Sequence, residues 1–122
     1  MASRILLIED EPANIQALSS VLMGEGYQLN IATNGQQAME LLVRIRPDLI
    51  LLDIMMPGMD GYQTMSVIRE NPAFRRLPIV ALTAKAMKGD RDKCIEAGAS
   101  DYLAKPVNTE QMMSTLRMWL HR

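Results

Sequence analysis

Short apolar runs alternate along this chain with segments whose apolar residues recur at helical spacing. Four of the runs are predicted to be buried strands: residues 5–8, 49–52, 79–82 and the less apolar 102–104. Runs that are apolar throughout are typical of strands covered on both faces, which indicates a parallel sheet. A polar residue follows each run closely: Asp10, Asp53, Thr83 and Lys105. Because parallel strands end at the same edge of a sheet, these four side chains are expected to lie together.

Helix and turn signals between these runs complete a regular alternation. A further strand is predicted over 27–33, closed by Asn34-Gly35. The first helix is expected to have Pro12 in its first turn and to stop at the glycines 24 and 26. The other helices are predicted over about 38–45, about 62–70, within 85–97 and after Asn108, where Gln111 three residues on resembles a capping box.

This order, strand then helix five times, predicts an α/β fold with a doubly wound five-stranded parallel sheet. Right-handed crossovers and short connections leave few other topologies, and helices are expected on both faces of the sheet. In open sheets of this kind, ligands bind at the carboxyl edge of the strands. The polar residues that follow the apolar runs are therefore the candidate functional residues.

Length and composition fit one domain over residues 1–122. The chain is 48% apolar, and with 11 Met and only 4% aromatic residues its core is expected to be aliphatic. The net charge of −1 and the isolated pair Arg75-Arg76 do not favour binding to nucleic acid. The single Cys94, expected in the core, suits a reducing compartment, so we expect a cytoplasmic location. No run approaches the roughly 18 apolar residues of a membrane span, and none is typical of a signal peptide.

The acids at the strand ends point to a metal ion. Taken singly, Glu9, Asp10 and Asp53 have ordinary interpretations as helix-capping or loop carboxylates. Crowded together they repel, at a cost of about 4 kcal/mol per pair at 4 Å and an effective dielectric near 20. One lysine cannot neutralise three acids, whereas a divalent cation can. Carboxylate ligands that leave positions for water suit Mg²⁺.

Lys105 and Thr83 suggest a phosphate beside this metal. An ammonium is an effective point charge for phosphate, and a hydroxyl can bond a phosphate oxygen. Lys105 precedes Pro106, and a cis Lys105–Pro106 bond would help to aim the lysine, although cis is the minority form for such bonds. Each residue also has a plain interpretation, as a surface lysine in a turn and a threonine ending a strand. Both are expected at a solvent-reaching edge, where substitutions usually change stability little.

At this point the sequence resembles a known family, the receiver domains of two-component response regulators. The resemblance covers essentially the whole chain. It rests on four motifs that fall in register at the predicted strand ends: residues 8–11 (IEDE), 51–61 (LLDIMMPGMDG), 82–84 (LTA) and 98–106 (GASDYLAKP). The resemblance implies a flavodoxin-like fold with strand order 2-1-3-4-5, in which Asp10 and Asp53 end adjacent strands.

The resemblance also implies a role for each matching residue. Asp53 would be the phosphoacceptor, and Glu9 and Asp10 would hold Mg²⁺ together with Asp53 and the backbone carbonyl of Met55. Thr83 and Lys105 would bind the new phosphate, and Tyr102 would be an aromatic switch that moves as Thr83 shifts. Glu9 departs slightly from the family, in which Asp is commoner at that position. Met55 and Lys85 stand at variable positions that tune the lifetime of the phosphate.

The implied partners are a histidine kinase or a histidine phosphotransfer protein. A downstream protein target is expected on the face of the fourth helix, fifth strand and fifth helix, where Met87 and Met118 fall off or at the margin of the apolar stripes. The chain is expected to be a monomer or weak dimer with no output domain and no enzyme activity beyond its own phosphorylation. It resembles both stand-alone receivers and receivers attached to hybrid kinases, and these alternatives stay open.

Other functions of such a fold fit the sequence poorly. A haloacid-dehalogenase-type phosphatase needs a second Asp two residues after its nucleophile, where this chain has Met55. A flavodoxin-like cofactor binder needs a phosphate-binding loop after the first strand, where Glu9-Asp10-Glu11 would repel phosphate. A binding module that never takes phosphate is a further alternative, and the complete set of site residues argues against it.

Overall fold

Among the described residues, five strands and five helices follow one another in the order that the hydrophobic pattern predicts. In this computed structural model, residues 2–56, 61–84 and 89–121 are described, with Asp90 described by its backbone alone. The strands are β1 (Arg4–Ile8), β2 (Gln28–Ala32), β3 (Leu49–Asp53), β4 (Ile79–Thr83) and β5 (Asp101–Ala104). The helices are α1 (Pro12–Gly24), α2 (Gly35–Ile45), α3 (Gly61–Glu70), α4 (Asp90–Ala97) and α5 (Thr109–Leu120), with a 3-10 turn over Pro72–Phe74.

The five strands form one parallel sheet in the order β2-β1-β3-β4-β5, which confirms the predicted fold class and strand order. In this register Ile8 pairs with Leu52, so Glu9 and Asp53 are level at the carboxyl edge. Asp53 in turn pairs with Leu82, and Thr83 with Ala104. The register therefore brings all four strand ends that carry candidate residues to one edge.

The alternation of side chains along the strands makes two cores, one on each face of the sheet. Leu6, Ile8, Ile50 and Leu52 are fully buried on the face that packs against α2, α3 and α4. Ile5, Leu7, Leu49 and Leu51 are equally buried on the face covered by α1 and α5. These strands are apolar at successive positions because helices cover both faces of the sheet.

Local signals set most element boundaries, with small differences from the predictions. Pro12 is the first residue of α1, and the Asn108 side chain caps α5 by accepting the backbone N–H of Gln111. β2 is shorter than predicted and α3 begins one residue earlier, at Gly61. Cys94 is buried, as expected. Lys85, Met87 and the 57–60 part of the second motif lie outside the described residues.

One arginine ties together the segments that lead into β4 and β5. The guanidinium of Arg69, in the last turn of α3, donates to the backbone carbonyls of Gly98, Phe74 and Leu77 at 2.9, 2.7 and 2.6 Å. Because these carbonyls belong to the turns before the two strands, Arg69 fixes the strands that end in Thr83 and Ala104 relative to α3. Among the described residues, no helix is long and apolar enough to cross a membrane.

Candidate phosphoryl-accepting site

Three carboxylates meet at the carboxyl edge of the sheet. Glu9 and Asp10 follow β1, and Asp53 ends the neighbouring β3. One carboxylate oxygen from each of the three lies within 4.8 Å of the others. The crowding of acids that the sequence predicted is therefore present, and it follows from the pairing of Ile8 with Leu52.

Glu9 is fully buried, and both of its carboxylate oxygens have hydrogen-bond donors. Oε1 accepts from the Lys105 ammonium at 3.1 Å, and Oε2 accepts the backbone N–H groups of Asp10 and Glu11 at 3.0 and 3.2 Å. Burial raises the pKa of the Glu9 carboxyl above its usual 4.5, and the adjacent Asp53 carboxyl acts in the same direction. Lys105 and the backbone N–H of Glu11 oppose that rise.

Asp53 lies at the floor of the cluster and is 4% exposed. Its Oδ2 is 2.9 Å from Nζ of Lys105, and its Oδ1 accepts the backbone N–H of Met55 at 3.1 Å. The turn that follows β3 thus holds one oxygen, and the lysine holds the other. This arrangement fixes the orientation of the carboxylate that is predicted to be the phosphoacceptor.

Lys105 bridges the two buried acids. Its backbone N–H extends the sheet by donating to the Thr83 carbonyl at 2.7 Å, and the bond to Pro106 is cis. Burial alone would lower the pKa of the Lys105 ammonium, but hydrogen bonds to Asp53 and Glu9 outweigh burial and raise this pKa above its usual 10.5. The lysine therefore stays protonated and serves as an internal counter-ion.

Asp10 and Met55 form the rim of the site. An open cleft of about 520 Å³ is lined by Asp10, Glu11, Asp53, Met55 and Lys105 among others. The Met55 side chain is exposed, while its backbone N–H bonds Asp53. A reactant can therefore reach the Asp53 carboxylate from solvent past these two residues.

Thr83 and Tyr102 lie on the β4–β5 side of the cleft. Thr83 is only 3% exposed, so the expectation that it reaches solvent is wrong. It is covered because it is still a residue of β4, level with Ala104 in the sheet. Tyr102 is half-buried on β5 and packs against the core on the α2–α3–α4 face.

Two features of the site were not recognised in the sequence. The sequence predicts a phosphate as the partner of Lys105, whereas the structure pairs Lys105 with Glu9, 96 positions away. No local pattern reveals such a contact. Gly61 begins α3 directly against the backbone of Ile54, the residue after Asp53. A glycine at the start of a helix where a larger residue would favour helix formation is a weak signal of such close packing.

The donor set fits a hard divalent cation. Three carboxylates face one ammonium, so negative charge is left in excess at a site open to water. The candidate side-chain ligands are all carboxylate oxygens, which Mg²⁺ prefers. The open cleft leaves room for the water ligands that Mg²⁺ retains. The residues present are therefore compatible with Mg²⁺.

Comparison with known proteins places this fold and cleft in one class. Residues 5–117 match the family model described as "Response regulator receiver domain". The response regulator PleD of Caulobacter vibrioides is 39% identical over 117 residues, which are 96% of this chain and 26% of PleD. The chain thus spans about a quarter of the length of that relative.

Solved structures agree. The receiver domain of sensor histidine kinase PA1611 from Pseudomonas aeruginosa, with magnesium coordinated in its active-site cleft, is 39% identical with a TM-score of 0.91, and each chain covers 100% of the other. Chemotaxis response regulator CheY4 of Vibrio cholerae is 28% identical with a TM-score of 0.91, over 98% of this chain and 100% of that one.

This chain belongs to the response regulator receiver domain family. It is a receiver domain of two-component signal transduction, related both to response regulators and to the receiver domains of kinases. Receiver domains take phosphate from histidine kinases.

Proposed function

We propose that Asp53 accepts a phosphoryl group from the phosphohistidine of a histidine kinase or phosphotransfer protein. The observation that carries this proposal is the placement of its carboxylate, held by Met55 N–H and Lys105 at the floor of a cleft that reaches solvent. A carboxylate oxygen attacks phosphorus while the bond from phosphorus to the donor imidazole nitrogen breaks. The imidazole keeps the electron pair and takes up a proton, and Asp53 becomes an acyl phosphate.

The residues around Asp53 have separate tasks in this step. Glu9, Asp10, Asp53 and the backbone carbonyl of Met55 are the proposed Mg²⁺ ligands. When bound there, the ion supplies positive charge that lets two anions approach each other. Lys105 supplies a further positive charge, already 2.9 Å from Asp53. Because the transfer is mainly a matter of positioning and charge neutralisation, no separate acid or base is assigned.

The added phosphate is proposed to act through Thr83 and Tyr102. A phosphoryl group brings close to two negative charges at neutral pH, which attract the Lys105 ammonium and the Thr83 hydroxyl. Movement of Thr83 at the end of β4 would then reposition Tyr102 on the neighbouring β5. The downstream target is proposed to bind the surface of α4, β5 and α5, where the Met118 side chain is exposed. We further infer a cytoplasmic monomer or weak dimer, without enzyme activity beyond its own phosphorylation.

Phosphorylation of the isolated chain tests this function. Incubated with acetyl phosphate and Mg²⁺, the chain is expected to gain the mass of one phosphoryl group, and EDTA is expected to prevent the gain. The group should be lost in mild alkali, as acyl phosphates are, which intact-mass measurement before and after treatment detects. Labelling that is equally fast in EDTA, or stable to alkali, would contradict the proposal.

An apolar groove beside the cleft is proposed to receive the protein that donates phosphate. The groove, of about 190 Å³, runs between α1 and the segment after β5, where Ala17, Leu18, Pro106 and Val107 line it. It continues into the cleft through Lys105, which lines both. An apolar side of a helix seated here would bring a phosphohistidine on that helix towards Asp53.

Ala17→Arg is expected to slow phosphotransfer from a donor protein by about tenfold or more, because a long charged side chain fills the groove. Acetyl phosphate is small enough to bypass the groove, so its rate with the variant should match the wild type. Gln16→Arg is the matched control, since it adds the same charge to an exposed neighbouring position that does not line the groove. Equal losses in both variants, or with both donors, would argue against the groove as the docking site.

A further inference from the structure

Gly61 packs closely against the backbone of Ile54. A Cβ atom built on it would lie 2.7 Å from Cα and 3.0 Å from the carbonyl oxygen of Ile54. Since these are backbone atoms, no rotamer change of Ile54 relieves the contact. Around Gly24, Gly26 and Gly89 the same construction finds nothing within 4 Å, and at Gly98 it meets only the flexible Arg69 side chain.

Backbone conformation does not explain the glycine. Gly61 is not among the positive-φ residues, so an L-amino acid can adopt its φ and ψ angles. It stands in the first turn of α3, where alanine has the better helix propensity. The space against Ile54 is therefore the physical requirement that alanine would violate.

Ile54, the residue after Asp53, is held between β4 and α3. Its backbone N–H donates to the Leu82 carbonyl at 3.0 Å, its side chain is 3% exposed, and Gly61 closes on its Cα. The next residue, Met55, donates its N–H to Asp53 Oδ1 at 3.1 Å. A shift of the Ile54 backbone would therefore move the hydrogen bond that orients the reacting carboxylate.

We propose that Gly61 is a positioning residue for phosphorylation of Asp53, an inference that rests on the function proposed above. With no side chain, Gly61 lets the first turn of α3 rest on the Ile54 backbone and clamp it against β4. The clamp sets the turn from Asp53 to Met55, and with it the Asp53 carboxylate and the Met55 carbonyl. A displacement of only about 1 Å at such a site can cost about a hundredfold in rate.

The test compares Gly61→Ala with Gly24→Ala, which adds the same methyl group to a helical glycine in open space. Gly61→Ala is expected to lower the rate of phosphorylation by acetyl phosphate at least about tenfold and to raise the Mg²⁺ concentration for half-maximal rate. In metal-free Gly61→Ala, the amide resonances of Asp53, Ile54 and Met55 should shift from their wild-type positions. Gly24→Ala should leave the rate, the Mg²⁺ dependence and those resonances unchanged.

Further arms separate the clamp from a loss of folding or of function. Ile54→Val added to Gly61→Ala removes the Cδ1 contact at 3.0 Å but not the backbone contact, so it should not restore the rate. Rescue by that change would overturn the proposal, as would a folded Gly61→Ala with wild-type rate and unshifted resonances. If Gly61→Ala unfolds, the assays are repeated in trimethylamine N-oxide, which favours the folded state. Failure of Gly61→Ala to fold even in this osmolyte overturns a positioning role.

Absence of phosphorylation in both the wild type and Gly24→Ala would instead refute the proposed function. The amide resonances of the metal-free chain would still test the clamp in that case.

Discussion

Asp53→Asn is expected to abolish phosphorylation of this chain, lowering the initial rate below detection with either acetyl phosphate or a phosphorylated kinase. The amide keeps the shape of the side chain and still accepts the Met55 N–H, so the fold is retained. It removes the anionic oxygen that attacks phosphorus and the charge paired with Lys105 at 2.9 Å. Initial rates measured by intact mass, with circular dichroism to monitor folding, check this result.

Glu11→Gln is the matched control for that substitution. Glu11 lines the same cleft, and its change also replaces one carboxylate by an amide of the same shape. Glu11 is exposed and lies outside the cluster of the three carboxylates described above. The phosphorylation rate of Glu11→Gln should therefore stay within a few-fold of the wild type. Phosphorylation that persists in Asp53→Asn would mean that another residue is the acceptor.

Lys105→Ala is expected to destabilise the metal-free chain by about 3 kcal/mol at neutral pH, the scale for removing one partner of a buried ion pair. The substitution leaves Glu9, fully buried, and Asp53 without their shared cation. This revises the expectation from sequence that a change here affects stability little. Urea unfolding in EDTA measures the loss, and Mg²⁺ should restore part of it by supplying positive charge to the same acids.

The loss of stability in Lys105→Ala should depend on pH in a defined direction. Because the pKa of Glu9 is raised above 4.5, its contribution to stability is complete below pH 4.5 and is lost as pH rises through the raised pKa. Lys105 lowers the pKa of Glu9, so removing Lys105 enlarges the loss of stability as pH rises. The stability difference between wild type and Lys105→Ala should therefore widen from acid to neutral pH. It should narrow again as pH rises through the pKa of Lys105, which lies above 10.5.

Lys105→Arg is the control for charge, since it keeps a cation beside both acids and should lose much less stability than Lys105→Ala. A stability difference that stays constant from acid to neutral pH would show that the cost comes from lost packing of the lysine stem rather than from uncompensated carboxylates.

The strands were predicted more accurately than the helices for a physical reason. Residues 5–8 and 79–82 fall within β1 and β4 because burial on both faces requires an apolar residue at each position. β2 is an edge strand with Ile31 exposed, so its pattern is weaker and its ends were misplaced. In α4, Cys94 is buried but Ile95 is exposed, which leaves little helical periodicity to locate its start.

The sequence by itself determined the order of strands and helices and the four strand ends that carry polar residues, because apolar periodicity and turn residues act locally. Only the tertiary structure decided that Lys105 lies between Glu9 and Asp53, that Thr83 is buried and that Gly61 closes on Ile54. These facts depend on the register of segments far apart in the chain. That register follows from the packing of both faces of the whole sheet, which no local pattern encodes.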